Sequence, residues 1–319
     1  MSTGQVPSAT PTPTPAHPTR PILVGYDGSD YSRAAVAWAL DEGARSGNPV
    51  LLAYAFEWMT TGGWIGPGIG VGTWPDDVAR REIEAVLREA VAEAATTHPG
   101  MDVRGEVFDG PPALILQERS ANAALVVLGS RGHGGFTGLL AGSTTVSVAA
   151  HAHCPVVVVR NTEPGNPSPV GPVVVGLDGS EQSLLALDFA AERARSWGVP
   201  LRVARAWAPP ASKWHPPEAD LAQITVTEQR AVEKLLAGRL DRLQGVSTTV
   251  DVITEPPTAA LVEASRGARL VVVGSRGRGG FRGLVLGSVS QQLMQHSHCP
   301  VAVVRELPPA GDGAGKSRS

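Results

Sequence analysis

The chain is predicted to be α/β, built as two tandem doubly wound domains with a five-stranded parallel sheet in each. Two observations predict this. Apolar runs of strand length alternate with helix-like patterns, and the runs are apolar throughout rather than at every second position, as parallel strands covered on both faces require. The pattern is also written twice. Gly129-Ser130-Arg131-Gly132, nine residues, then Gly142-Ser143 recurs as Gly274-Ser275-Arg276-Gly277, nine residues, then Gly287-Ser288, an offset of 145 (274 − 129) that Cys154 and Cys299 share. Asp27 and Asp178 are 151 apart (178 − 27), so a small length change falls between the first strand and the glycine pattern. A unit of about 145 to 150 residues is an ordinary domain size.

The elements follow in order. Residues 22–26 are an apolar run ending in Asp27-Gly28-Ser29, followed by a helix with Val36, Leu40 and Gly43 on one face, then a strand over 50–56. A longer helix over 75–95 turns Ile83, Val86, Leu87, Ala90, Val91 and Ala94 to one side. A strand over 103–107, a helix opened by Pro111-Pro112 and a strand over 125–128 lead to the glycine pattern. The helix over 143–150 then passes through His153-Cys154-Pro155 to a last strand over 156–159. The second repeat has a strand over 173–177, a helix carrying Leu187, Ala191 and Ala194, and a strand over 201–207. One helix carrying Val232, Leu235, Leu236, Leu240 and Leu243 comes next, then strands over 270–273 and 301–304. Domains are therefore expected over 21–160 and 172–305, joined by a linker over 161–171, with disordered ends over 1–20 and 306–319. The valine-rich last strands are candidate sheet edges that must be covered.

Composition narrows the class. A net charge of −3 argues against a nonspecific nucleic-acid binder. No apolar stretch is long enough to span a bilayer, and residues 1–18 carry neither a basic start nor an apolar core of a secretory signal. One cysteine per repeat at the same position reads as reduced thiols, so a cytoplasmic protein is expected.

The glycines sit where a strand hands over to a helix, and that is where phosphates bind. A residue without Cβ lets an anionic oxygen reach backbone amides, and the unpaired N–H groups opening the helix at Ser143 and Ser288 carry about half a positive charge. A polyphosphate is the predicted ligand. If both ends of the pattern serve one ligand, Asp27 lies beside the Gly129 loop and Asp178 beside the Gly274 loop. There a carboxylate can hold Mg²⁺ directly or through water, or accept a hydrogen bond from a ribose or base. Alternatively, Asp-Gly-Ser only caps the next helix. Arg131 and Arg276 either cover phosphates or stay solvated. Gly-x-x-x-x-Gly-Lys-Ser/Thr does not occur, so a phosphate-binding lysine of that kind is not available.

At these residues the chain resembles the universal stress protein family, over both repeats. The pattern Gly, two residues, Gly, nine residues, Gly-Ser is complete in each copy, and the aspartate ending the first strand and the Cys-Pro leading into the last strand also match. The resemblance implies a Rossmann-like nucleotide-binding fold. It implies phosphates on Gly132, Gly142 and Ser143 and on Gly277, Gly287 and Ser288, and ribose near Gly129 and Gly274. Adenine would be held by backbone groups near Ala55 and Ala206. Thr144-Thr145 departs slightly from the more typical Val289-Ser290, but Thr145 and Ser290 both offer a hydroxyl. Pairing of the last strands would make the two repeats a pseudo-dimer within the chain, with a homodimer as a further step.

Two smaller features stay open. His151, His153 and Cys154, echoed by His296, His298 and Cys299, resemble metal ligands but also suit a helix-to-strand junction. Residues 57–75, rich in tryptophan and glycine, are either a lid or a plain insertion, and their proline-rich counterpart over 208–217 is shorter, so access to the two sites should differ. An ATP-binding, nucleotide-dependent stress-response regulator working through a protein partner is expected. A slow ATPase or nucleotidyl transferase is the alternative, disfavoured because the pattern supplies no evident base. A flavin domain is a third, more distant reading.

Overall fold

A computed structural model describes residues 20–57, 76–132, 141–160, 170–208, 218–279 and 285–305. Residues 1–19 of the expected N-terminal extension, 161–169 of the linker expected over 161–171, 58–75 and 209–217 of the loops expected over 57–75 and 208–217, and the tail over 306–319 lie outside them.

The first repeat runs β1 (Ile22–Gly25), α1 (Asp30–Ser46), β2 (Val50–Phe56), α2 (Asp76–Thr97), β3 (Val103–Asp109), α3 (Pro112–Ser120), β4 (Leu125–Gly129), α4 (Ser143–His151) and β5 (Val156–Val159). The second runs β6 (Val173–Gly176), α5 (Glu181–Trp197), β7 (Leu201–Ala206), α6 (Glu218–Ala237), α7 (Leu240–Leu243), β8 (Thr248–Ile253), α8 (Pro257–Ala264), β9 (Leu270–Gly274), α9 (Ser288–His296) and β10 (Val301–Val304).

Local chemistry sets the helix limits. The Ser29 hydroxyl accepts from the Ser32 amide at 3.2 Å to start α1, and Gly47 ends it in a left-handed conformation, φ 74°. Ser180 and Gly198 do the same for α5. Ala35, Val36, Ala39, Leu40 and Gly43 form the buried stripe of α1.

The strands form one ten-stranded sheet in the order β3-β2-β1-β4-β5-β10-β9-β6-β7-β8. Every neighbouring pair is parallel except β5 and β10, which run antiparallel with Val156, Val157 and Val158 opposite Val303, Ala302 and Val301. The expected pairing of the two repeats is thus present within the chain. It covers both valine edges, so any association of two chains must use another surface. Ile22 and Val24 pack into one core with α1 and α2, while Leu23 packs on the other face with Leu116 of α3 and Val148 of α4. Burying such side chains contributes roughly 1.5–3 kcal/mol each, which is why the strands are apolar on both faces.

Three details depart from expectation. The helix expected to carry both Val232 and Leu243 breaks after Ala237: Gly238 ends α6, α7 is a separate turn, and Leu240 is 66% exposed. Val86 is 38% exposed at the margin of the stripe, while Ile83, Leu87, Ala90, Val91 and Ala94 pack against the core as expected. Finally β8 and α8, not singled out in the sequence, complete the second sheet. The polar residues of Thr248–Ile253, an outermost strand, had hidden the strand pattern.

Candidate functional site

In each repeat the chain leaves β1 toward β2 on one side and enters β4 on the other, so the strand order reverses between β1 and β4, and between β6 and β9. A crevice opens at the carboxyl ends there. The first holds a cavity of about 310 Å³ lined by Asp27, Ala55, Gly129, Gly132, Gly142, Ser143 and Thr145 among others. The second, of about 510 Å³, is lined by Asp178, Ala206, Gly274, Gly277, Gly287, Ser288 and Ser290 among others. Both sets of sequence-predicted residues therefore surround one cavity per repeat.

The aspartates stand at the ends of the first strands in a turn that needs glycine. Gly28 and Gly179 both have φ 81°. Asp27 Oδ1 accepts from the Ser29 amide (3.0 Å) and hydroxyl (2.6 Å), orienting the serine that caps α1. Asp178 does the same with Ser180 (2.9 and 2.6 Å), and its Oδ2 also accepts from the Arg278 amide at 2.8 Å. Burial is the largest influence on Asp178 and would raise its pKa. The hydrogen bonds from Ser180, Arg278 and Ser183 together outweigh it, and the net shift is downward. Capping is thus organised by the carboxylate but performed by the serine.

Opposite, α4 and α9 begin differently. Gly142 (φ −69°, ψ 146°) and Gly287 (φ −75°, ψ 154°) occupy the N-cap positions, and neither provides a side-chain cap. Their first-turn amides meet the cavity without the serine oxygen that satisfies α1 and α5. At Gly142 a Cβ would meet nothing closer than 3.7 Å, so packing does not demand glycine there. Other glycines serve the fold. A Cβ on Gly129 would approach the Tyr31 backbone to 2.7 Å, and one on Gly274 the Gln182 backbone to 2.9 Å. A Cβ on Gly132 would collide with the Asp27 carboxylate, and one on Gly277 with that of Asp178. Alanine at these two positions consequently disturbs the aspartate as well as any phosphate.

The hydroxyls of Thr145 and Ser290 are buried and hold the loop. Thr145 Oγ1 donates to the Gly129 carbonyl at 2.9 Å, and Ser290 Oγ donates to the Gly287 carbonyl at 2.8 Å. Arg131 and Arg276 line their cavities, Arg131 with its guanidinium 5.9 Å from the Tyr31 ring centroid.

At the other end of the cavity, register isolates Ala55. The β1 ladder ends where the Tyr26 amide donates to the Ala53 carbonyl at 3.0 Å. Ala55, two residues on, turns its own N–H and C=O to the same side, beyond the end of β1. Ala206 stands likewise beyond the bond from the Leu177 amide to the Ala204 carbonyl, 3.0 Å. Pro112 and Leu116 form an apolar wall here, as do Pro257 and Leu261 in the second repeat. These walls were not singled out in the sequence, although each residue recurs at the 145-residue offset of the glycine pattern. Gly25 and Gly176 were also missed. Side chains there would run into Leu128 at 2.5 Å and Leu261 at 2.8 Å.

The cysteine-histidine junctions are structural. Burial pushes both the Cys154 and Cys299 thiols up to about 12. The His153 and His298 amides donate to Ser120 Oγ (2.7 Å) and Ser265 Oγ (2.9 Å), fastening the last strands to α3 and α8.

A ten-stranded α/β sheet made of two like halves, with a glycine-rich cavity at each reversal of strand order, defines a tandem doubly wound protein with paired sites. Residues 18–160 and 170–305 match the universal stress protein family, and the chain belongs to that family. It is 34% identical over 290 residues to universal stress protein Rv2623 of Mycobacterium tuberculosis, covering 89% of this chain and 96% of that protein. To universal stress protein Rv1996 of the same organism it is 35% identical over 304 residues, covering 89% and 94%. The crystal structure of a universal stress protein from Archaeoglobus fulgidus DSM 4304 shares the fold with a TM-score of 0.64 at 23% identity, over 89% of this chain and 96% of that one. No helix among the described residues is long and apolar enough to cross a membrane.

Proposed function

We propose that each repeat binds one ATP and that occupancy makes the protein a nucleotide-dependent stress-response regulator. The observation that carries this reading is the pair of uncapped helix starts at Gly142 and Gly287, each facing a cavity at a reversal of strand order. The triphosphate rests on Gly132, Gly142 and Ser143 in one site and on Gly277, Gly287 and Ser288 in the other. Adenine reaches the backbone of Ala55 or Ala206 beside the apolar wall, with ribose between. Mg²⁺ neutralises the phosphates when bound. Because Asp27 and Asp178 already accept from Ser29 and Ser180, they fit a metal held through water better than a directly ligated one. Regulation would pass through a protein partner in the cytoplasm.

Equilibrium titration with Mg-ATP should approach two molecules per chain. Ligand at a hundred times the dissociation constant should add about 2.7 kcal/mol per site to unfolding. Absence of a thermal shift with ATP, ADP or AMP would overturn the reading.

A further inference from the structure

Where the two repeats meet, their chemistry is not symmetric. Ser29 and Ser180, the caps of α1 and α5, are 151 residues apart (180 − 29), and the same offset carries Glu42 onto Arg193, Trp38 onto Phe189 and Ser46 onto Trp197. Glu42 and Arg193 touch: Arg193 Nη1 lies 2.6 Å from Glu42 Oε1. Equivalent residues that contact each other lie on the pseudo-two-fold axis itself. Trp197 Nε1 donates a hydrogen bond to the other carboxylate oxygen, Oε2, at 2.9 Å, and its ring meets Trp38 edge-on at 6.2 Å. Glu42 is only 1% exposed, so the acid depends on donors from the other repeat.

The arginine contacts that flank the strand seam are alike from both sides, whereas Arg269, which acts on Asp41, Glu42 and Arg45 of the first repeat, has Ala124 as its equivalent and adds to the asymmetry at Glu42. Arg160 donates to the Met294 carbonyl at 3.3 Å and also to that of Gln295, and its equivalent Arg305 donates to the Ala150 carbonyl at 2.6 Å. The central β5 and β10 residues are valine and alanine. The arginine contacts do not distinguish one repeat from the other, and at the centre of the strand pair the equivalents Val157 and Ala302 differ only in apolar size, so by these alone no charge prevents a first repeat from accepting a second copy of itself.

We infer that Glu42 and Arg193 form a pairing code that restricts each repeat to its unlike partner. Two first repeats in this arrangement would place Glu42 against Glu42, buried, with serine where Trp197 supplies a donor. Two second repeats would place Arg193 against Arg193. The first leaves buried carboxylates uncompensated, the costly case for an ion pair; the second sets two guanidinium groups against each other with only Glu192, 4.0 Å away in the same repeat, to offset each, so both exclude a wrong partner by repulsion. The buried pair therefore directs the valine seam to close between unlike halves.

The test uses the full chain. E42R makes both halves basic at the axis and R193E makes both acidic. Each should lower the folded-to-unfolded ratio on the order of a hundredfold in urea titrations, and the double exchange E42R/R193E should recover most of the loss. Co-expressed with different tags, the E42R and R193E chains should copurify as a two-chain complex in which each half finds an oppositely charged partner, while either variant co-expressed with the parent should not. Single variants as stable as the parent, a double exchange no better than the singles, or co-expressed variants that remain separate would each overturn the pairing code. An apolar control, E42L/R193L, should stay folded, which separates selectivity from the support of the seam.

Discussion

The two cavities share a plan but hold their glycine loops by different means. In the second repeat Gln182 sits in the first turn of α5, and its Oε1 accepts from Ser275 Oγ at 2.8 Å and from the Arg276 amide at 2.6 Å. Asp178 holds the next part of the loop through the Arg278 amide, whose equivalent at position 133 lies outside the described residues, so the comparison rests on Gln182. The equivalent of Gln182 in the first repeat is Tyr31, which offers Arg131 a ring face in place of a carbonyl oxygen. Tyr26 also lines the first cavity where Leu177 lines the second, and the volumes are about 310 and 510 Å³. Duplication thus kept the cavity-lining glycines while the surrounding shell diverged. The second loop is pre-organised by directional hydrogen bonds, so less ordering remains to be done when a ligand arrives.

The largest test of this difference removes one site and leaves the other. Gly142→Ala should cost less than about 1 kcal/mol of stability, since its Cβ makes only ordinary van der Waals contact, 3.7 Å from Thr145 Oγ1 at the nearest. Its methyl should nevertheless weaken nucleotide at the first site by about tenfold or more, equivalent to 1.4 kcal/mol. Calorimetric titration should then show one unperturbed site, that of the second repeat. Gly287→Ala should do the reverse with a larger loss of stability, because its Cβ lies 3.3 Å from the Ser275 carbonyl oxygen. Two unchanged sites in both variants would mean that phosphates do not approach these helix starts.

A smaller effect is expected from Gln182→Ala, which withdraws the acceptor from Ser275 and Arg276. The second site should weaken by about fivefold, near 1 kcal/mol, with the first site unaffected. Equal weakening of both sites would show that they are coupled through the common sheet.

The smallest effect is a pH dependence confined to acid. The folded-state pKa of Asp178 lies below the ordinary value of 3.8, so its contribution to stability is fully present above 3.8 and is lost as pH falls through the depressed value. Melting temperatures of the parent and Asp178→Asn should therefore differ most at neutral pH and converge in strong acid. A gap that widens on acidification would contradict the hydrogen bonding described for this carboxylate.

Much of the site was legible because it rests on local sequence. Gly129, Gly132, Gly142 and Ser143 lie within one short stretch whose spacing is imposed by a strand, a tight loop and a helix start, and repetition doubled the signal. Ala55 and Ala206 were reached through the family resemblance, and the register adds that both stand beyond the ends of β1 and β6. The walls at Leu116 and Leu261 were not legible as such, since a leucine on a short amphipathic helix looks the same whether it faces core or cavity. Thr145 illustrates the opposite limit. Its hydroxyl is visible in the sequence, but its donation to the Gly129 carbonyl depends on how α4 docks against β4.

By itself the sequence determined the alternation of strands and helices, the duplication and the place of the glycine loops, because apolar periodicity and glycine spacing act over a few residues to a few turns. Tertiary structure decided which residues of the two repeats meet. The offset of 151 carries Glu42 onto Arg193, but only antiparallel pairing of β5 with β10 brings α1 beside α5 and makes that correspondence a contact. Contacts between residues so far apart in sequence depend on the path of the whole sheet, and no local pattern encodes that path.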